Sequence, residues 1–212
     1  LNLDNEAVRS EILNIAKFWI DRGVDGFRLD AVTSYYTGND AKNAEFMKWL
    51  NDSVKEYKAD AYFVGEAWTT SLNIAKYYSS GIDSFFNFPF SQVDGTIVKS
   101  LNTQKGENLA EAISKWNDTI KNSNAVAIDA PFLSNHDKAR SAGFLMRNLN
   151  KKKMAASIYL LMPGNPFIYY GEEIGMTGSG NDPNKRLPML WSTTEPAGIT
   201  NNPPGAAQSI SE

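Results

Sequence analysis

Gly26–Val32 reads GFRLDAV and sets Arg28 and Asp30 two residues apart at the end of a short strand-like run. Alternate residues of a strand share a face, so the two side chains are expected to point the same way where the strand ends. A carboxylate beside a guanidinium is held ionised, the form in which an aspartate can attack. Two further acid-bearing strings follow down the chain: VGEAW at Val64–Trp68 and FLSNHD at Phe132–Asp137.

Outward from that strand, the periodicity alternates. Asp4 or Asn5 caps an amphipathic helix, EAVRSEILNIAKFWIDRG, with Val8, Ile12, Ile15, Phe18 and Trp19 at helical spacing and Gly23 at its end. A strand over Val24–Leu29 follows. The pattern then predicts a helix near Ala41–Tyr57, a strand over Tyr62–Val64, a helix near Ser71–Ser79 and a short strand around Ser84–Phe86. It continues with a helix near Asn108–Asn122, a strand around Ala125–Leu133, a helix over Lys151–Leu161 and a strand over Phe167–Tyr170. Strands alternating with helices imply an α/β fold of right-handed parallel units. From Gly178 onward Gly, Pro, Asn and Ser dominate, which reads as loop. The count is about five strands, whereas a closed (β/α)8 barrel has eight in ~250 residues.

Composition narrows the partners. With 212 residues and 42% hydrophobic content the chain can bury a sizeable core, and no apolar run approaches the ~20 residues of a membrane span. A formal net charge of −3 offers no basic field for nucleic acid. Without cysteine there is neither a disulfide framework nor a thiolate metal site, and the first residues carry no visible signal peptide.

The three strings, in this order, resemble those of the α-amylase family of glycoside hydrolases, family thirteen, and look closest to its bacterial α-amylase and neopullulanase-like members. PGNPFIYYGEEIGM, Pro163–Met176, is similar to the strand that closes the family's barrel. The resemblance covers nearly the whole chain. It implies a partial TIM barrel, about strands four to eight with their helices. Residues 1–177 would be the second half of the catalytic barrel, and 178–212 a substrate-side loop and tail leading to a last helix outside the chain. The first strands, an inserted small domain and a C-terminal β-domain would be absent.

The resemblance also implies roles. Asp30 takes the place of the nucleophile, Glu66 of the acid/base and Asp137 of the carboxylate that steadies the transition state. Retention needs two carboxyl groups ~5–5.5 Å apart, and Asp30 and Glu66 would close adjacent strands about 4.8 Å apart. Val64–Gly65 and Ala67–Trp68 flank Glu66 with a largely apolar setting, which favours the neutral form of an acid, and Gly65 would leave room for the sugar. His136, the chain's only histidine, takes the place of a residue that hydrogen-bonds the hydroxyls of the attacked sugar, and Arg28 is set among the substrate-binding residues, where it could also serve as a structural ion pair. GNDPNKR, Gly180–Arg186, resembles a loop whose Asp and Arg grip more distant glucose units, here Asp182 and Arg186; as bare sequence it is a turn. Trp68 and Tyr35 lie just beyond strand ends, where an aromatic face could stack on glucose or pack into the core.

Glu172 and Glu173 read as strand-end and helix-cap carboxylates, and no metal-ligating set is assigned. Where many relatives continue the nucleophile string with Lys-His, this chain has Thr33–Ser34, so a leaving-side sugar contact and the usual calcium site are not expected. The chain itself calls for no cofactor, and calcium would belong only to the full-length protein. The reading is a retaining hydrolase of α-glucosidic bonds, mainly α-1,4, in starch-type glucans and maltooligosaccharides. Its alternatives are an α-1,6-glucosidase, neopullulanase or transglycosylase on the same scaffold, or a non-catalytic sugar-binding barrel. The isolated chain is expected to be inactive and to self-associate through exposed strand edges. The substrate class favours an extracellular or cell-surface location.

Overall fold

The computed structural model describes residues 1–189. They form two compact units, one of Leu1–Phe86 with Ser114–Ala130, the other of Asn87–Ile113 with the described residues from Pro131 on.

The first unit is built on a parallel sheet of four strands in chain order: β1 (Gly26–Leu29), β2 (Tyr62–Gly65), β3 (Ser84–Phe86) and β4 (Ile128–Ala130). Helix α1 (Glu6–Ile20) begins where Asn5 Oδ1 accepts the Ala7 N–H at 2.8 Å, and it carries Glu6 in its first turn and Lys17 in its last, as the helix dipole favours. Helix α2 (Asp40–Tyr57) starts the same way, with Asn39 accepting the Lys42 N–H at 3.0 Å. It buries Phe46, Met47, Leu50 and Val54, one apolar face at helical spacing. Helix α3 (Ser71–Tyr77) runs into a single 3₁₀ turn that ends at Gly81, whose φ of 82° suits glycine.

Asp83 locks the start of the sheet. Its Oδ2 accepts the Phe63 N–H at 2.8 Å while its Oδ1 pairs with Lys55 of α2 at 2.8 Å, so one carboxylate ties β2, the entry to β3 and a covering helix. Behind the sheet, Tyr78 donates to Ile128 O at 2.9 Å and accepts the Phe85 N–H, and burial pushes its hydroxyl far above the ordinary tyrosine range.

The second unit holds α4 (Thr96–Thr103), α6 (Ser141–Phe144), α7 (Leu149–Leu161) and the single-turn α8 (Asp182–Lys185); α5 (Gly106–Ser123) runs from this unit into the first. Helix α4 packs on α7 and buries Ile97 and Val98. Phe88 meets Phe132 edge to face at 5.1 Å. Arg140 is fully buried, its guanidinium lying 4.4 Å and 4.5 Å from the ring centres of Tyr169 and Tyr170, an aromatic clasp for a buried cation.

Three differences from the sequence reading have physical causes. The strand expected over Phe167–Tyr170 is reduced to a single parallel bridge, Phe132 to Phe167, because Gly171 turns the chain at φ 83° and Met176 N–H bonds back to Gly171 O. Helix α4 falls where the sequence reading assigns no element, since TIVKSLNT is rich in β-branched and polar residues with weak helix propensity. Within the expected loop from Gly178, Asp182–Lys185 makes a helical turn with Pro183 near its start; the rest of the tail, 190–212, lies outside the described residues.

Gly26 leaves no room for a side chain, because a Cβ there would sit 1.9 Å from the Tyr62 carbonyl oxygen of the neighbouring strand. Gly26→Ala is therefore expected to cost at least about 3 kcal/mol, the upper end of overpacking penalties. Gly106→Ala, where an added Cβ meets nothing within 4 Å, is the control that should be tolerated. Urea unfolding of the two variants compares them, and equal midpoints would contradict the close approach of β1 and β2.

Candidate active site

The sheet register builds the first cluster. Leu29 pairs with Gly65 across β1 and β2, so Asp30 and Glu66 are the next residues of each strand and emerge level with one another. The ladder continues past the strands, with Glu66 N–H donating to Leu29 O at 2.8 Å and Val32 N–H to Glu66 O at 3.1 Å. Arg28 lies between the two acids. Its Nη1 donates to Asp30 Oδ1 at 2.6 Å, and its Nη2 stands 2.9 Å from Glu66 Oε1 in an ion pair without the alignment of a hydrogen bond. One planar fork thus spans both carboxylates, a task for which Arg is better shaped than Lys.

The two acids differ in exposure. The Asp30 side chain is 75% exposed, open to a reactant, while that of Glu66 is 9% exposed. The setting of Glu66 is polar rather than the apolar one read from its flanking residues, since its Oε1 faces Arg28 and its Oε2 accepts the Ala31 N–H at 3.0 Å. Gly65 leaves room not for a sugar but for Phe85, whose ring would lie 2.4 Å from an added Cβ. Tyr35 stands half-buried beside these acids, edge-on to Phe46 at 5.3 Å. Burial first, and then the charge of Asp30, push its hydroxyl up to about 12. Trp68 is 47% exposed just past β2.

The second cluster lies in the second unit. Asn135 Oδ1 accepts the Asp137 N–H at 3.1 Å and so folds the turn that carries His136 and Asp137. His136 Nε2 lies 3.2 Å from Asp137 Oδ2. The turn that follows Asn181 docks on it: Arg186 donates from Nη2 to Asp137 Oδ1 at 2.8 Å and from Nε to His136 O at 3.1 Å, and Lys185 donates to Asp137 O at 3.0 Å. Asp182 pairs with Lys185 at 2.9 Å and lies 3.8 Å from Arg186, and these cations hold its carboxyl below the usual carboxylate range. Asp182 and Arg186, set beside sugar units by resemblance, are thus joined to the His136–Asp137 turn, a contact across 49 residues that no local spacing announces.

Thr33 O accepts from Asn43 Nδ2 at 3.1 Å, and among the described residues no three His, Cys, Asp or Glu side chains converge on a point.

A family model of the α-amylase catalytic domain matches residues 1–207. The chain belongs to the α-amylase family. It is 45% identical over 192 residues to Alpha-amylase 3 of Dictyoglomus thermophilum, covering 91% of this chain and 38% of that protein. It is 35% identical to Alpha-amylase SusG of Bacteroides thetaiotaomicron, covering 85% of this chain and 27% of that one. A match to an Oligo-1,6-glucosidase of a Bacillus species stands at 30%. Among solved structures, Eubacterium rectale Amy13B superposes with a TM-score of 0.91 at 50% identity, over 97% of this chain and 42% of that one. An α-amylase from H. orenii gives 0.86 at 36%, over 99% and 43%. The chain therefore spans about two fifths or less of these relatives, and its fold is the parallel α/β fold of a partial (β/α)8 barrel.

Ala31 adds backbone strain to the first cluster. It adopts the left-handed conformation, φ 43° and ψ 49°, which costs an L-residue roughly 1–2 kcal/mol, and in that conformation its N–H reaches Glu66. Ala31→Gly is expected to stay within about 1 kcal/mol of the parent, and the β-branched Ala31→Val to lose at least about 2 kcal/mol. Denaturant unfolding of the two variants measures this, and a Val variant as stable as the parent would contradict the strain.

Proposed function

We propose that the chain supplies the acid-bearing part of a retaining α-glucan hydrolase that cleaves mainly α-1,4 bonds in starch-type glucans and maltooligosaccharides. The observation that carries this reading is the Arg28 guanidinium spanning Asp30 and Glu66 at the ends of adjacent parallel strands. Asp30, the exposed acid, attacks the anomeric carbon. Glu66, the buried one, gives its proton to the leaving oxygen and takes one back from the water that releases the sugar, the two-carboxyl course of retention. Asp137 and His136 hold sugar hydroxyls, and Tyr35 and Trp68 offer aromatic faces. When sugar arrives, Asp182 exchanges part of its pairing with Lys185, and Arg186 part of its pairing with Asp137, for hydroxyl contacts on more distant units. The names of the most similar relatives favour an amylase over the 1,6-glucosidase alternative.

Activity requires the remaining barrel strands. Among the described residues β1 is an edge strand paired only with β2, and Ile15, Phe18 and Trp19 of α1 are exposed. Unpaired edges and apolar patches of this kind drive association, so the chain alone is expected to sediment as a dimer at micromolar concentration and to leave starch intact.

The test uses the chain within its complete barrel. Asp30→Asn should lower turnover at least ~10³-fold with maltooligosaccharide binding intact, the scale on which catalytic groups act. Glu66→Gln should lose glucan hydrolysis while sparing the first step on activated aryl glycosides, whose leaving groups need little proton donation. More than a tenth of parental activity in the Asn variant, or equal losses on both substrates in the Gln variant, would overturn the assignment.

A further inference from the structure

Glu172 was read as an ordinary strand-end carboxylate, and its surroundings in the second unit give it more to do. Its Oε1 accepts from Ser134 Oγ at 2.6 Å and its Oε2 from Tyr159 of α7 at 3.2 Å, while Ser141 at the start of α6 also bonds to the carboxylate. Glu172 is itself held in place, its N–H donating to Tyr169 O at 3.0 Å just after the turn at Gly171. One carboxylate therefore joins four segments: the Phe132–Ser134 leg, α6, α7 and the turn it belongs to.

The Ser134 contact matters most. Ser134 is 2% exposed and stands three residues before Asp137, at the root of the turn that Asn135 folds. From the other side that turn is held by Lys185, 12% exposed, and by Arg186, which is 46% exposed, where water competes with every bond it makes. The bond from the buried Ser134 to the half-buried Glu172 meets less competition than those of Arg186.

We propose that Glu172 is a positioning residue for the His136–Asp137 turn, setting its height and direction through Ser134. This rests on the reading of Asp137 as a sugar-holding carboxylate, but the geometric claim stands apart from it. The groups facing Glu172 are Ser134, Ser141 and Tyr159. Glu173, next in the chain, and Lys152 of α7 line the same cavity of about 120 Å³. Burial raises the Glu172 carboxyl above the ordinary glutamate range, against the pull of its hydrogen bonds. A carboxyl group raised on folding adds stability below its unfolded pKa and loses that contribution as pH climbs through its folded one. In its ionised form Glu172 is thus held at a cost, and removing its charge should not weaken the fold. A side chain kept only for stability would behave in the opposite way.

The chain's single histidine makes the test direct. In the 212-residue chain, the His136 ring resonances are recorded by NMR for the parent, Glu172→Gln, Ser134→Ala, the double variant, and Glu173→Gln as a control that removes a neighbouring charge without touching Ser134. The first two should displace the His136 resonances, the double variant should add nothing further, and the control should leave them in place. Glu172→Gln should unfold at the same temperature as the parent or higher. In the complete barrel, the same variant should lower kcat about tenfold with KM within about twofold. Unmoved His136 resonances, an equal displacement by Glu173→Gln, or a clear fall in unfolding temperature with kcat unchanged would each overturn the proposal. Displaced resonances in an enzyme that hydrolyses no α-glucan would instead overturn the proposed function and leave the positioning role standing.

Discussion

Everything in the first cluster depends on one guanidinium reaching two carboxylates. For Arg28 to contact both Asp30 and Glu66, β1 and β2 must run parallel, in the register that aligns Leu29 with Gly65, and close enough for the ladder to continue beyond the strands. A slip of one residue would turn every side chain of a strand to its other face and part the acids. Much of the unit can be understood as protection of that register. Gly26 allows β1 to lie against the Tyr62 carbonyl, Asp83 ties the start of β2 to α2, and Gly65 admits the Phe85 ring where a side chain would have pushed the strands apart.

Holding the acids also has a local cost. Ala31 occupies a conformation that L-residues avoid, and there its N–H meets Glu66. Strain of this kind persists when the surroundings over-determine it, and here they do: the Leu29–Glu66 and Val32–Glu66 bonds on either side leave the intervening backbone little choice. The second unit follows another plan. Asp137 is held by the turn that Asn135 folds, by the half-buried Lys185 and the exposed Arg186 of the following turn, and from beneath through Ser134 and Glu172.

Much of this was legible in the sequence because it depends on short-range periodicity. The pairing of Arg28 with Asp30 follows from the two-residue repeat of a strand, the caps at Asn5 and Asn39 from the chemistry of helix starts, and the parallel sheet from the alternation of apolar runs. The contacts that stayed hidden link residues far apart in the chain. Arg186 with Asp137 and Glu172 with Ser134 each span about 40 to 50 residues, and neither partner's neighbours hint at the other. Glu66 shows the same limit in reverse: its flanking residues are apolar, yet its carboxyl meets a guanidinium from one strand over. Gly65 was likewise misread, since a missing side chain shows that space is needed without showing what fills it.

The central claim is that Arg28 presents Asp30, and not Glu66, to the anomeric carbon. It is most directly tested by treating the chain, within its complete barrel, with an α-glucosyl fluoride whose ring also bears fluorine, so that the covalent intermediate forms and persists. Peptide mass spectrometry then locates the sugar. The account predicts a glucosyl ester on Asp30 with Glu66 unmodified. A label on Glu66 or any other residue, or no label in a protein that turns over α-glucans, would contradict it.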